Sequence, residues 1–157
     1  MKYFQGSMFS ESITGEEGTV AYLKPLPAIT EVNRPFWDAL KRHEFVVPRC
    51  EDCGDYNWVP YPACRSCLSE RQVWTPASGR GTVYSYTISH RGPGAFDQDV
   101  PYAIVLGELA ERPRPMLVLG NLVDYPVDRI SIGMPIQISY LDVPDEDVTL
   151  WQWQAVS

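Results

Sequence analysis

The alternation of apolar and polar positions is clearest in the second half of the chain. Thr82–Ser89 alternates between faces and is rich in Thr, Tyr, Val and Ile, which predicts a strand. Arg91–Pro101 carries Gly92, Pro93 and Gly94 and reads as a loop, followed by a mostly apolar strand over Tyr102–Leu109. Pro113 and Pro115 break that run, and Met116–Val123 is the next strand. Tyr125–Met134 connects it to Ile136–Leu141, which places Ile136, Ile138 and Tyr140 against Gln137, Ser139 and Leu141. Asp142–Asp147 is an acidic turn that reads as a solvated hairpin tip, and Thr149–Ala155 closes the chain with Trp151 and Trp153 on one face. Five short strands in so few residues suit a small closed barrel, of which the OB-fold is the five-stranded example; an open sandwich is the alternative.

The first half is organised differently. From Met8 to about Thr30 there is little periodicity, and Gly15, Gly18, Pro25 and Pro27 predict an extended arm. Asn33 stands where a helix cap would, Pro35 suits a first turn, and Phe36, Trp37 and Leu40 make one apolar face. That face is expected to pack on the body of the protein, with docking of a partner as the rival role. Lys41, Arg42 and His43 complement the helix dipole at its C-terminal end, and His43 reads as a surface residue. Phe45-Val46-Val47, Trp58-Val59 and Val73-Trp74 are short β-type runs around the cysteines. The expected partition is therefore 8–32 arm, 33–44 helix, 45–77 cysteine module and 78–157 barrel. Residues 1–7, with Tyr3-Phe4-Gln5-Gly6-Ser7, read as the remnant of an engineered protease site ahead of Met8.

The four cysteines carry the strongest chemical signal. Cys50 and Cys53 form one C-x2-C pair, and Cys64 and Cys67 form a second. Two such knuckles aim four thiolates at one ion and complete a tetrahedral shell, the pattern of a structural zinc site. Gly54 permits the left-handed backbone that such a turn uses, whereas Leu68 occupies the matching place in the second knuckle. Disulfides and a redox pair are the competing readings. A redox C-x-x-C normally occurs once, within a βαβ pattern that this chain lacks. The start shows no basic segment followed by an apolar core, so a cytoplasmic location is expected, where metal binding outranks disulfides.

Charge and the remaining side chains narrow the function. A net charge of −7 disfavours nonspecific binding to nucleic acid or anionic lipid, and no apolar run is long enough to span a membrane. With the thiols committed to a metal, no nucleophile–base pair stands out. His90 and Arg91 enter the Gly-rich loop and, with Phe96, are the loop residues best placed to touch a ligand.

The strings Phe36-Trp37-Asp38-Ala39-Leu40, Arg49-Cys50-x-x-Cys53-Gly54, Pro62-x-Cys64-x-x-Cys67, Ser78-Gly79-Arg80-Gly81-Thr82-Val83-Tyr84-Ser85-Tyr86-Thr87, Pro101-Tyr102 and Ile132-Gly133-Met134-Pro135 resemble the acyl-CoA-associated zinc-ribbon/OB-fold proteins, long classed as a domain of unknown function. The resemblance runs from Arg34 to Gln154. It implies a mainly β chain with a short N-terminal helix, a rubredoxin-like zinc ribbon and a C-terminal five-stranded OB-fold. It implies a non-catalytic accessory subunit of a thiolase-superfamily enzyme acting on acyl-CoA, in some members a lipid-transfer-type thiolase that performs retro-aldol cleavage in steroid side-chain breakdown. An enoyl-CoA hydratase domain or subunit is a further implied partner. Phe36, Trp37, His90, Arg91 and Phe96 are then the candidate contacts to acyl-CoA or partner. The rival class is a nucleic-acid-binding module, with Tyr84, Tyr86, Trp151 and Trp153 as stacking platforms; the acidic charge argues against it.

Overall fold

The computed structural model describes residues 22–111 and 115–156. The expected protease-site remnant and the arm as far as residue 21 lie outside the described residues.

The short helix α1 (Arg34–Leu40) buries Phe36, Trp37, Ala39 and Leu40, so its apolar face packs on the body. Asn33 occupies the N-cap position without a side-chain cap bond. Its carboxamide is spent on the preceding turn instead, accepting from the Thr30 amide at 2.7 Å and donating to the Ala28 carbonyl at 3.1 Å. The helix closes in a Schellman-type turn. His43 takes the left-handed conformation (φ 56°), the His43 amide bonds the Leu40 carbonyl, and the Glu44 amide bonds that of Ala39.

His43 is more than a surface residue. Its ring stacks on Tyr140 at 4.8 Å, and its Nε2 lies 3.0 Å from Asp142 Oδ1. Asp142 also accepts the Thr149 hydroxyl at 2.7 Å, and Lys41 pairs with Asp147 at 2.6 Å. The acidic turn is thus a hairpin end whose carboxylates meet the basic helix end. The Thr149 hydroxyl, and then the His43 ring, hold the Asp142 carboxyl below its ordinary value. A carboxyl depressed in the folded state stabilises fully above its unfolded value of about 3.9 and loses that contribution as pH falls. Urea midpoints are therefore expected to drop below about pH 4, and Asp142→Asn should flatten that acid limb. An unchanged slope in the variant would refute the assignment.

Strands β1 (Val46–Cys50) and β2 (Gln72–Pro76) pair antiparallel, in register from Val46 opposite Pro76 to Cys50 opposite Gln72. The two cysteine turns fall between them. Strands β3 (Arg80–Ser89), β4 (Tyr102–Leu109), β5 (Met116–Val123), β6 (Pro135–Val143) and β7 (Val148–Ala155) form a closed barrel in the order β3-β4-β5-β7-β6. This is the OB-fold order, so the sandwich alternative falls. In β4 the two-residue period is complete: Ala103, Val105, Gly107 and Leu109 face the core and the residues between them are partly exposed.

The barrel closes on Trp153, which is fully buried. A Cβ at Gly107 would lie 2.3 Å from Trp153 Cζ2, and one at Gly120 would lie 3.1 Å from its Cδ1. The indole thus lies in a slot that β4 and β5 form by omitting side chains. β5 and β7 run parallel and pair only at Leu122–Trp153 and Val123–Gln154. Beyond that short ladder the indole N–H groups of Trp153 and Trp151 donate to the carbonyls of Val118 and Leu119, at 3.2 and 3.1 Å. Side chains therefore stitch a seam that backbone pairing leaves open.

Five rings join helix, ribbon and barrel. Phe36 lies 5.3 Å from Trp37, 5.4 Å from Phe45, 5.2 Å from Trp58 and 5.3 Å from Trp151. All four of these Phe36 contacts are edge-on, the arrangement the ring quadrupole favours.

Candidate metal centre and apolar groove

The two cysteine turns are copies of one another. In the first, the Gly54 amide bonds the Cys50 carbonyl (3.0 Å) and the Cys50 amide bonds the Asp55 carbonyl (2.9 Å). In the second, the Leu68 amide bonds the Cys64 carbonyl (2.9 Å) and the Cys64 amide bonds the Ser69 carbonyl (2.7 Å). Gly54 and Leu68 both take left-handed φ values, 75° and 64°. Leu68 therefore adopts the glycine conformation without being glycine, at a cost of about 1–2 kcal/mol, while its side chain stays exposed.

Each turn supplies one buried thiol, Cys50 and Cys64, and one exposed thiol, Cys53 and Cys67. The four Sγ atoms lie within 4.8 Å of one another, with Cys50–Cys67 at 3.5 Å and Cys53–Cys64 at 3.6 Å. A tetrahedral shell with metal–sulfur bonds of about 2.3 Å has edges of about 3.8 Å, so the cluster fits one four-thiolate metal ion. Burial pushes the Cys64 thiol up, but the Ser66 and Cys67 amides and the Asn57 side chain outweigh it and bring it down to about 6. Cys67 moves the other way, to about 12: the Ser69 amide lowers it, and the neighbouring thiols together with burial outweigh that effect. Four thiols this close share their protons unevenly, and a cation is what allows all of them to ionise.

A polar shell braces the turns. Asp52 bonds both Ser69 and Arg71, tying the first turn to the second, and Ser66 bonds Asp55. Asn57, almost fully buried, accepts the Arg65 amide at 2.9 Å. Spacing alone points to the thiols but not to these partners; the available signal was a polar residue inside each cysteine pair, Asp52 and Ser66, and another two places after it, Asp55 and Ser69.

The other candidate residues separate into two groups. Phe36 and Trp37 are buried in the aromatic cluster, at 2% and 6% exposure. His90 and Arg91 are exposed just after β3. Phe96 lies half-buried on a 3-10 helix (Gly94–Asp99), with its ring 5.9 Å from Tyr102. Lys24 reaches over from the arm, 5.4 Å above the Phe96 ring, and ion-pairs with Asp99. Beneath them is a groove of about 470 Å³ whose walls include Leu26, Trp37, Phe96, Ile104, Leu119 and Trp151. The fold thus brings Trp37 and Phe96 to one groove, and leaves Phe36, His90 and Arg91 out of its lining.

The description "ChsH2, rubredoxin-like zinc ribbon domain" matches residues 37–72, and "ChsH2, C-terminal OB-fold domain" matches residues 74–141. A solved chain of the "Ltp2-ChsH2(DUF35) aldolase" superposes with a TM-score of 0.73 at 33% identity, covering 83% of this chain and 98% of that one. This chain belongs to the ChsH2/DUF35 zinc-ribbon and OB-fold family.

Within that family, a Mycobacterium tuberculosis protein named 3-oxo-4,17-pregnadiene-20-carboxyl-CoA hydratase alpha subunit is 37% identical over 117 residues, 74% of this chain and 36% of that protein. A Methanocaldococcus jannaschii "DUF35 domain-containing scaffold protein" is 28% identical over 112 residues, covering 70% of this chain and 77% of the relative. The chain spans less than two fifths of the length of that hydratase subunit. Family membership confirms the ribbon and the barrel, and the four cysteines of the ribbon are placed to hold a metal. Among the described residues, no helix is long and apolar enough to cross a membrane.

Proposed function

We propose that this chain is a non-catalytic accessory subunit of a thiolase-superfamily enzyme acting on acyl-CoA, in particular a lipid-transfer-type thiolase that performs retro-aldol cleavage in steroid side-chain degradation. The observation that carries this reading is the match across 98% of a chain of an Ltp2-ChsH2 aldolase. The scaffold name of an archaeal relative points the same way. Of the groups that usually perform such chemistry, the four cysteines face one another and His43 is held by Tyr140 and Asp142, which leaves His90 as an exposed loop histidine. The partner would supply the acid, base and nucleophile, and this chain would supply contact surface and positioning. The names of the hydratase relatives support an enoyl-CoA hydratase domain or subunit as a second partner.

In this reading the ribbon metal is a structural zinc held by Cys50, Cys53, Cys64 and Cys67. Four protein thiolates leave no open position for a reacting water. A cytoplasmic location suits such a site, because the thiols stay reduced there. The exposed pair His90 and Arg91 and the Phe96 loop are the surfaces assigned to partner or acyl-CoA. Phe36 and Trp37 support them from inside the aromatic cluster. A nucleic-acid role draws no support: the net charge is −7, and among the described residues the groove lining contains no Lys or Arg.

Reconstitution tests the reading. The thiolase-type partner, assayed with and without this chain, is expected to lose at least about tenfold in turnover without it, as ill-positioned substrates do. Arg91→Glu, at an exposed position, should weaken the complex while leaving the fold intact. Full partner activity in the absence of this chain would show the reading to be wrong.

A further inference from the structure

The groove beneath Phe96 has a chemistry of its own. It lies over the seam where β5 and β7 pair at only two positions, between the Pro25–Pro27 arm and the 3-10 helix. Among the described residues its lining contains no Asp, Glu, Lys, Arg or His; the polar side chains there are Tyr102 and Asn121. Its volume of about 470 Å³ lies within the range of roughly 300–1,000 Å³ typical of small-molecule sites. The walls are preformed, since Trp37 and Trp151 are fixed 5.6 Å apart in the aromatic cluster and the Trp151 indole is pinned to the Leu119 carbonyl. Leu119 itself is 57% exposed on β5. The arm is tied over the site, because Lys24 holds both Asp99 and the Phe96 ring.

These features select among ligands. The described lining is uncharged, and the cation above it, Lys24, is already paired with Asp99, so the site disfavours the pyrophosphate and ribose phosphate of coenzyme A. Flat aromatic walls held rigid by their neighbours suit a rigid, flat apolar body better than a flexible chain, which would lose more conformational freedom on entry. A relative is named for a pregnadiene-carboxyl-CoA, a thioester whose acyl part is a fused-ring body.

We propose that this groove binds the fused-ring, apolar end of an acyl-CoA thioester, with Trp37, Phe96, Leu119 and Trp151 as its walls and the coenzyme A end left outside. The inference rests on the acyl-CoA reading above and adds the part of the substrate that this chain itself would touch.

Titration of the full chain with 3-oxo-4-pregnene-20-carboxylate, followed through tryptophan emission, tests it. Saturable binding is expected, because two of the walls are indoles. Leu119→Lys, which places a charge at an exposed wall position, should weaken binding at least tenfold without changing the thermal midpoint, and Phe96→Ala should weaken binding at least tenfold. Coenzyme A alone should not bind, and palmitate should bind at least tenfold more weakly. Absence of saturation up to the solubility limit of the steroid overturns the proposal, as does an affinity unchanged in Leu119→Lys or matched by coenzyme A. Partner turnover with wild-type chain separates the two readings: if the partner depends on this chain while the steroid does not bind, the groove proposal alone fails.

Discussion

Stripping the metal is expected to unfold the ribbon and loosen the helix and barrel beside it. Among the described residues, the ribbon between Cys50 and Gln72 has no strand pairing beyond a single bridge, Arg49 to Tyr56, and the cysteine turns hold it together. Binding of a structural zinc contributes on the order of 10 kcal/mol in small modules of this kind, more than a two-stranded hairpin supplies by itself. Cys64→Ser should abolish stoichiometric metal binding, measured by elemental analysis, and should erase amide protection over residues 51–71. Acid should release the metal, since each thiolate that regains a proton is a lost ligand. The loss should spread, because Trp58 carries the ribbon into the aromatic cluster, 5.2 Å from Phe36 and 5.9 Å from Trp151. A metal-free chain with undiminished ribbon protection would contradict this account.

The second large effect is expected at Trp151. Its ring lies 5.3 Å from Phe36, 5.6 Å from Trp37, 6.3 Å from Phe45 and 5.9 Å from Trp58, and its N–H satisfies a β5 carbonyl. Truncating a large aromatic in a packed core costs about 3–5 kcal/mol. Phe36→Ala, at a buried ring, should fall in that range by urea unfolding, and Trp151→Ala, whose ring is partly buried, should fall at its lower end. The two rings touch, so the double variant should lose less than the sum of the single losses. A loss below about 1 kcal/mol for either, a value typical of surface sites, would show that the cluster does not join the three parts.

Much of this architecture was legible in one sequence because its signals are local. Strands β4 and β5 have the bounds that alternation and proline punctuation predict, Tyr102–Leu109 and Met116–Val123. The metal cluster was legible because two C-x2-C pairs leave little other chemistry for the thiols. What escaped depends on contacts between distant positions. No periodicity joins Phe36 and Trp58 to Trp151, nor His43 to Asp142. The Asn33 carboxamide oxygen turned from the helix to the turn before it, a choice between two local amide donors that propensity does not decide. The groove was hidden for the same reason: its walls come from the arm, α1, the 3-10 helix and three barrel strands.

The aromatic cluster also has an optical consequence. Trp37, Trp58 and Trp151 belong to helix, ribbon and barrel, yet their rings lie within van der Waals reach of common neighbours. Indoles this close and fixed at defined angles couple their electronic transitions, producing an intense near-ultraviolet circular dichroism that vanishes once they separate. The protein therefore carries a built-in, label-free gauge of whether ribbon and barrel are docked, readable during metal loss or partner binding, with Trp58→Phe as the silent control.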